Sequence, residues 1–268
     1  VDGSIATGAA VSVMLIRAGV SPIATLPIAF LAGALAGMVT GLLNTTLGIP
    51  GILASILTQI SLYSINLNIM GKANQPVSVD NYPLVVSLRY VTDGSVSRLL
   101  FFLGMIVFLL ALIAVMYWYF GTEQGHAIRA TGCNSNMARA QGINTNFIKV
   151  LALMISNGLV GLCGALYGQF QGASDVNMGR GAIVIGLAAV IIGEVLFGKF
   201  ASKRKLAFAF TLASVILGAV IYYMVYQFVL WLKMPSEDMK LFSAIVVAIF
   251  LAIPYLKEKR TLRKGASK

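Results

Sequence analysis

The sequence is poor in charge. Charged residues make up 11% of its 268 residues against 58% hydrophobic, and the mean hydropathy is +0.87. Soluble domains carry about 25% charged residues, so a water-soluble fold of this size is excluded. The sequence has one histidine, His126, and two cysteines, Cys133 and Cys163. Neither cysteine has a Cys or His at metal-ligand spacing, and one lies in a polar stretch while the other lies in an apolar run. Neither a metal centre nor a disulfide is expected. No GxxxxGK[ST] phosphate loop is present, which excludes ATP hydrolysis by that device. No Ser/His/Asp set or carboxylate pair is present either, so no catalytic residues are assigned and the chain reads as a non-enzyme. Acids are outnumbered 9 to 20, for a net charge of +11. In a membrane protein that excess belongs in cytoplasmic loops, not on nucleic acid.

What the sequence does have is long apolar runs. A helix needs about 20 apolar residues to cross a bilayer. Runs suited to helices occur at Ile23–Leu43, Leu47–Leu67, Leu99–Phe120, Phe147–Phe170 and Leu206–Leu232, with shorter ones at Ser4–Ile16, Ile183–Leu196 and Leu241–Leu256. They are apolar all round, whereas barrel strands alternate. The expected fold is an all-α polytopic membrane helix bundle, a single domain over residues 1–268, with about eight membrane segments. VDGSIATGAA has no basic region like that of a signal peptide. It reads as internal to a longer chain, so the N-terminus is expected to be incomplete.

Polar residues inside the runs mark candidate sites. Leu47–Leu67 carries Ser55, Thr58, Gln59 and Asn66. Ser55, Gln59 and Asn66 share a helical face with Leu62, which makes these polar groups candidates for a solute path; interhelical hydrogen bonding is the other reading. Glu194 is the one acid inside an apolar run. It reads either as a functional intramembrane carboxylate, for a proton or a substrate amine, or as a structural partner for a nearby basic loop. Gly33, Gly37 and Gly41 lie on one face, and Gly158, Gly161, Gly164 and Gly168 mark a second close-packing helix. Asn68–Ser97 reads as an external polar loop with a re-entrant or amphipathic piece at Tyr82–Tyr90, and Gly172–Arg180 as a short external loop.

The longest polar interruption of the second half is Gly121–Asn146, GTEQGHAIRATGCNSNMARAQGINTN. Its punctuation predicts a short helix over Thr122–Ala130 capped by Thr122. A second is predicted over Asn136–Gln141, capped by Asn134 or Ser135 and stopped by Gly142. A solvated loop with two frayed turns is the alternative. Placing this stretch with the adjoining Lys149, GKFASKRK at Gly198–Lys205 and the basic tail on the inside puts thirteen of the 20 lysines and arginines there. That bias predicts a cytoplasmic C-terminus.

TGCNSNMARAQGI resembles the cytoplasmic coupling loop of permease subunits of bacterial type II ABC importers, in the branched-chain amino acid, ribose and nucleoside family. Arg129, Ala130, Thr131, Gly132, Asn134, Ala138, Gly142 and Ile143 stand at the positions of that loop's pattern. GLAAVIIGEVLFG at Gly186–Gly198 and LGIPGILAS at Leu47–Ser55 resemble two further stretches of the family, in the same order along the chain. The nearest resemblance is to amino-acid permeases of the tryptophan/tyrosine type.

The resemblance implies a permease subunit in a bacterial inner or plasma membrane, paired with a second and identical permease subunit. Residues 121–146 would rest on a cytoplasmic ATP-binding subunit. That subunit would bind ATP-Mg, with no cofactor on this chain. An extracytoplasmic substrate-binding protein would deliver a small polar organic solute, an amino acid, with ribose or a nucleoside as the alternative. In that picture Arg129 and Arg139 make polar contacts with the ATPase, and Met137 and Ala138 fill a groove on it. Thr131, Gly132, Asn134 and Gly142 shape the docking element. The rival class is a stand-alone proton-coupled secondary transporter using Glu194.

Overall fold

The computed structural model describes residues 1–77, Tyr82, 84–87, 95–201, 207–231 and Ala248. The protein is a polytopic all-α membrane bundle. Five of the described helices are long and apolar enough to cross a membrane, and a further apolar helix spans Ala182–Leu196. The chain divides into two compact units, Val1–Arg180 and Gly181–Lys268. The expected crossing at Leu241–Leu256, the loop Lys233–Lys240, the basic tail and most of GKFASKRK lie outside the described residues.

The first unit contains α1 (Asp2–Arg17), α2 (Pro22–Thr45), α3 (Gly51–Met70), β1 (Asn74–Pro76), α4 (Ser95–Phe120), α5 (Glu123–Cys133), α6 (Ser135–Ala140), α7 (Thr145–Gln171) and β2 (Ala173–Asp175). At 16 residues α1 is short, yet it is the most enclosed element, burying Ala6, Ala9, Ala10, Val13 and Ile16. Its small side chains let α7 come close. A methyl group on Gly8 would overlap the carbonyl oxygen of Gly161, and one on Gly164 would overlap that of Ile5. The same face of α7 receives α2: a methyl group on Gly161 would stand 2.6 Å from the Ala29 carbonyl oxygen and 3.1 Å from Gly33 Cα. Gly33, Gly37 and Gly41 thus face Asn157, Leu153 and Val150 of the same chain. In lipid, where burial of apolar surface gives little drive, such close backbone approach supplies the packing.

A polar knot ties this three-helix seam. The Gln169 side chain, 1% exposed, donates through Nε2 to Ser12 Oγ, Thr25 Oγ1 and the Pro22 carbonyl, each at 3.2 Å. Its Oε1 accepts from the Val85 amide at 3.1 Å. Ser12 and Thr25 also bond one another at 2.9 Å. Every polar atom of this buried amide is satisfied, as an apolar interior requires.

Two boundaries differ from the sequence reading. α2 runs through Asn44 and Thr45, past the end of the apolar run at Leu43, because Thr45 Oγ1 bonds back to the Gly41 carbonyl at 2.8 Å and is absorbed by the helix. The turn falls at Gly48, with φ +68°, and Asn44 Nδ2 pins it by donating to the Ile49 carbonyl at 2.8 Å. α3 therefore starts at Gly51, four residues later than expected, and ends where Gly71 adopts a left-handed C-cap. Parts of the loops expected after α3 and α7 form a two-stranded ladder. Asn74, Gln75 and Pro76 pair antiparallel with Asp175, Ser174 and Ala173. Gln75 fixes this ladder to the bundle by donating to the Met70 carbonyl at 2.5 Å and accepting from Arg17. Of the piece expected at Tyr82–Tyr90, Leu84 and Val86 are buried, Leu84 packing with Val13, Ile16 and Val77. Residues 83 and 88–90 of that piece lie outside the described residues.

α4 turns its apolar side chains outward, Leu100, Val107 and Trp118 among them, as a helix facing lipid does. Among the described residues the second unit contains α8 (Ala182–Ala201) packed on α9 (Ala207–Trp231). Gly193 sits against the Ser214 carbonyl and Gly218 against that of Ala189, closing the pair around Ala188, Ile192 and Tyr222.

Candidate functional site

Gly121–Asn146 folds into two short helices set between two membrane-length ones. Thr122 caps α5, its Oγ1 accepting from the Gly125 amide at 3.4 Å. α5 continues through Gly132 to Cys133, three residues past the expected end. Asn134 caps α6, its Oδ1 accepting from the Asn136 and Met137 amides at 3.1 Å each. Gly142, at φ +83°, ends the element, and Asn144 caps α7. The two-helix reading therefore replaces the frayed-turn alternative.

The side chains of this element divide by role. Arg129 Nη2 donates to the Phe120 carbonyl at 2.6 Å, and Arg139 Nη2 to Thr145 Oγ1 at 3.1 Å. Both arginines stay exposed while bracing the element against the adjoining helices. Ala138 is 4% exposed and Thr131 7% exposed, so both face the chain's own interior. Ala138, expected to fill a groove on a partner, is thus buried within this chain. Met137, 61% exposed, with Gly132 and Asn134 also exposed, forms the outward surface. His126 is exposed and its Nδ1 is 2.8 Å from the Thr122 carbonyl. Cys133 and Cys163 are both free thiols.

The four polar α3 candidates part ways. Thr58 is buried in the α2–α3 seam, accepting from Thr40 Oγ1 at 2.9 Å and donating to the Ala54 carbonyl at 2.9 Å. For Thr58, interhelical hydrogen bonding is the reading that holds. Ser55 is exposed, bonds its own helix at the Ile52 carbonyl, and lines a cavity of about 610 Å³ with Thr40, Asn44, Thr131 and Lys149. That cavity lies beside α5 and the start of α7.

Gln59 and Asn66 line a different cavity, of about 250 Å³, with Asp2, Ile60, Tyr63 and Arg180. Its depth follows from its neighbours. Ser4 Oγ donates to Asn157 Oδ1 at 2.7 Å, close to the middle of the 27-residue α7. A methyl group on Gly3 would stand 3.3 Å from Gln59 Cα, near the middle of α3. The first turn of α1 thus begins halfway along the spans. After β2, the chain folds back beside α1 until Gly179 rests on the Asp2 carbonyl, and Arg180 follows it. Irregular backbone at such depth is tolerated where it is buried in protein or lines a cavity.

Asn66 is 0% exposed, and neither its Oδ1 nor its Nδ2 has a hydrogen-bond partner. A buried unpaired polar group costs about 1–3 kcal/mol. Glu194 is exposed on α8, in the second unit, next to the Gly193 contact. The basic residues expected to pair with it lie outside the described side chains. Among the described residues no group of three or more His, Cys, Asp or Glu is placed to hold a metal ion.

Sequence reasoning did not single out Gln169 or Arg180. Gln169 stands at the end of an apolar run with partners more than 140 residues away, and Arg180 enters the cavity only through the fold-back after β2.

The protein family described as "Branched-chain amino acid transport system / permease component" matches residues 1–254. The chain is similar to a tyrosine transport system permease protein of Clostridioides difficile (strain R20291), 39% identical over 94% of this chain and 79% of that protein. It is 30% identical to an uncharacterized protein of Rickettsia prowazekii over 94% of this chain and 85% of that one. It is 28% identical to an autoinducer 2 import system permease protein of Yersinia pseudotuberculosis over 87% of this chain and 62% of the relative. No solved structure matches.

Proposed function

The chain belongs to the branched-chain amino acid transport permease family, and from that premise we propose that it is the membrane subunit of an ATP-driven importer carrying an amino acid into the cell. The amino acid is an aromatic one, by similarity to the tyrosine permease of Clostridioides difficile. A separate cytoplasmic ATP-binding subunit binds and hydrolyses ATP-Mg, a substrate-binding protein delivers solute from outside, and a second copy of this chain completes the path. The C-terminus lies in the cytoplasm, residues 121–146 forming the docking element on that side and the β1–β2 ladder facing outward.

The observation that carries this reading is the capped α5–α6 element between two membrane-length helices, α4 and α7. It is short, polar, braced by Arg129 and Arg139, and presents Met137 outward. An exposed methionine is an adaptable apolar contact for a partner surface. A braced element transmits motion where a loose loop would absorb it. Arg129 and Arg139 thus hold the element in shape as well as offering charge, while Met137, Gly132 and Asn134 meet the ATPase.

Co-purification from membranes with its candidate ATP-binding subunit tests the reading, comparing wild type with Met137→Asp. The wild type brings the ATPase down, and the variant loses at least tenfold of it while staying folded in detergent. If the wild type purifies alone and moves solute into vesicles without ATP, the importer reading fails. Glu194, an exposed acid on an apolar helix, then becomes the residue to pursue as a proton site.

A further inference from the structure

We infer that the cavity between α1, α3 and the fold-back after β2 holds the solute during transport, and that it selects a zwitterion. In it Arg180 takes the carboxylate, and the amide of Asn66 supplies the polar contacts that its surroundings leave unmade. This assignment rests on the importer reading above and names where and how the amino acid is held.

Three independent features converge on this place. The first is position: the cavity lies between the middle of α7 and the end of the spans that carries the β1–β2 ladder, walled by a helix that starts at mid-span and by non-helical backbone. Half-depth breaks of this kind place backbone and side chains around a solute without opening a leak through the bundle. The second is Asn66. It is fully enclosed, has both amide atoms without a partner, and lines the cavity. Its side chain can donate two hydrogen bonds and accept two. A bound polar solute completes it, which gives the residue a reason to stand where leucine would pack better.

The third feature is charge. The wall carries one cation, Arg180, and one anion, Asp2, with Tyr63 and Ile60 between them on α3. A neutral sugar has no use for that pair, whereas a solute bearing both a carboxylate and an ammonium matches it. The planar guanidinium engages a carboxylate through two parallel hydrogen bonds. Tyr63 and Ile60 offer an aromatic and an aliphatic surface to the side chain of the solute. The volume of about 250 Å³ falls just below the roughly 300–1,000 Å³ of ligand pockets, which limits the cavity to a single small molecule.

The test uses the full-length protein in proteoliposomes with its ATPase and binding protein, and follows uptake of radiolabelled L-tyrosine. Arg180→Gln and Asn66→Leu each lower uptake at least tenfold while the complex assembles, and Arg180→Lys keeps part of the activity. A second measurement needs no substitution in the cavity's charged or buried groups. With Cys133 and Cys163 replaced by serine, a thiol placed by Asn177→Cys on the cavity wall is shielded from a membrane-permeant maleimide by L-tyrosine but not by tyramine or D-ribose.

Full uptake by both Arg180→Gln and Asn66→Leu, or labelling of Asn177→Cys unchanged by L-tyrosine, overturns the site while leaving the importer reading intact. Wild-type vesicles that accumulate D-ribose and not L-tyrosine overturn both the site's selectivity and the amino-acid assignment.

Discussion

Two buried amides separate the regions of this molecule that hold it together from the one that is left open. Gln169 lies in the α1–α2–α7 seam with donors and acceptor all engaged, by Ser12, Thr25, Pro22 and Val85. Asn66 is equally enclosed, on α3, and neither of its polar atoms has a partner. The chain's own packing accounts for the first. On the proposal above, a bound solute completes the second. In a low-dielectric interior a satisfied polar group rigidifies and an unsatisfied one costs, so the seam is where stability resides and the cavity is where stability is given up for binding.

The largest effect expected is at the closest approach in the seam. Gly161→Leu would drive a side chain into the Ala29 carbonyl and the α2 backbone at Gly33. Such overpacking costs upwards of about 3 kcal/mol, and no monodisperse protein is expected from size-exclusion chromatography in detergent. Next is Gln169→Leu, which strands the Val85 amide and weakens the link among three helices. It is expected to lower stability by roughly 2–3 kcal/mol, read as a shift of the denaturant midpoint in micelles. Thr40→Val removes one hydrogen bond to Thr58 across α2 and α3, and bonds of this kind average about 0.6 kcal/mol in membrane bundles. Asn66→Leu sharpens the comparison from the other side. It removes an unpaired amide, so folding stability is expected to hold or to rise by about 1 kcal/mol while uptake falls. A loss of stability matching that of Gln169→Leu would show that Asn66 serves packing instead.

The sequence made some of this legible and left the rest hidden, for physical reasons. Thr122, Asn134 and Gly142 announce the α5–α6 element because caps and stops act within four residues of themselves. Gly33, Gly37 and Gly41 announce a close contact by spacing alone, though not that α7 would fill it. Of the solute-path candidates Ser55, Thr58, Gln59 and Asn66, Thr58 has its hydroxyl engaged by Thr40, a residue on another helix. Ser55 and Asn66 go to separate cavities. Ala138 looks like an exposed contact in a polar loop, yet α6 turns it inward. Gln169 and Arg180 gain their meaning from segments distant in sequence, and the β1–β2 ladder joins two tripeptides, Asn-Gln-Pro and Ala-Ser-Asp, that carry no strand signal. Local chemistry fixes caps and spans, whereas sites assembled from three distant segments need the fold.

The most direct test of the account is uptake of L-tyrosine into proteoliposomes containing this chain, its ATPase and its binding protein, with ATP or a non-hydrolysable analogue inside. The account predicts accumulation with ATP alone, indifferent to an imposed pH gradient and kept in Glu194→Gln. Accumulation that follows the pH gradient without ATP and disappears in Glu194→Gln would contradict it.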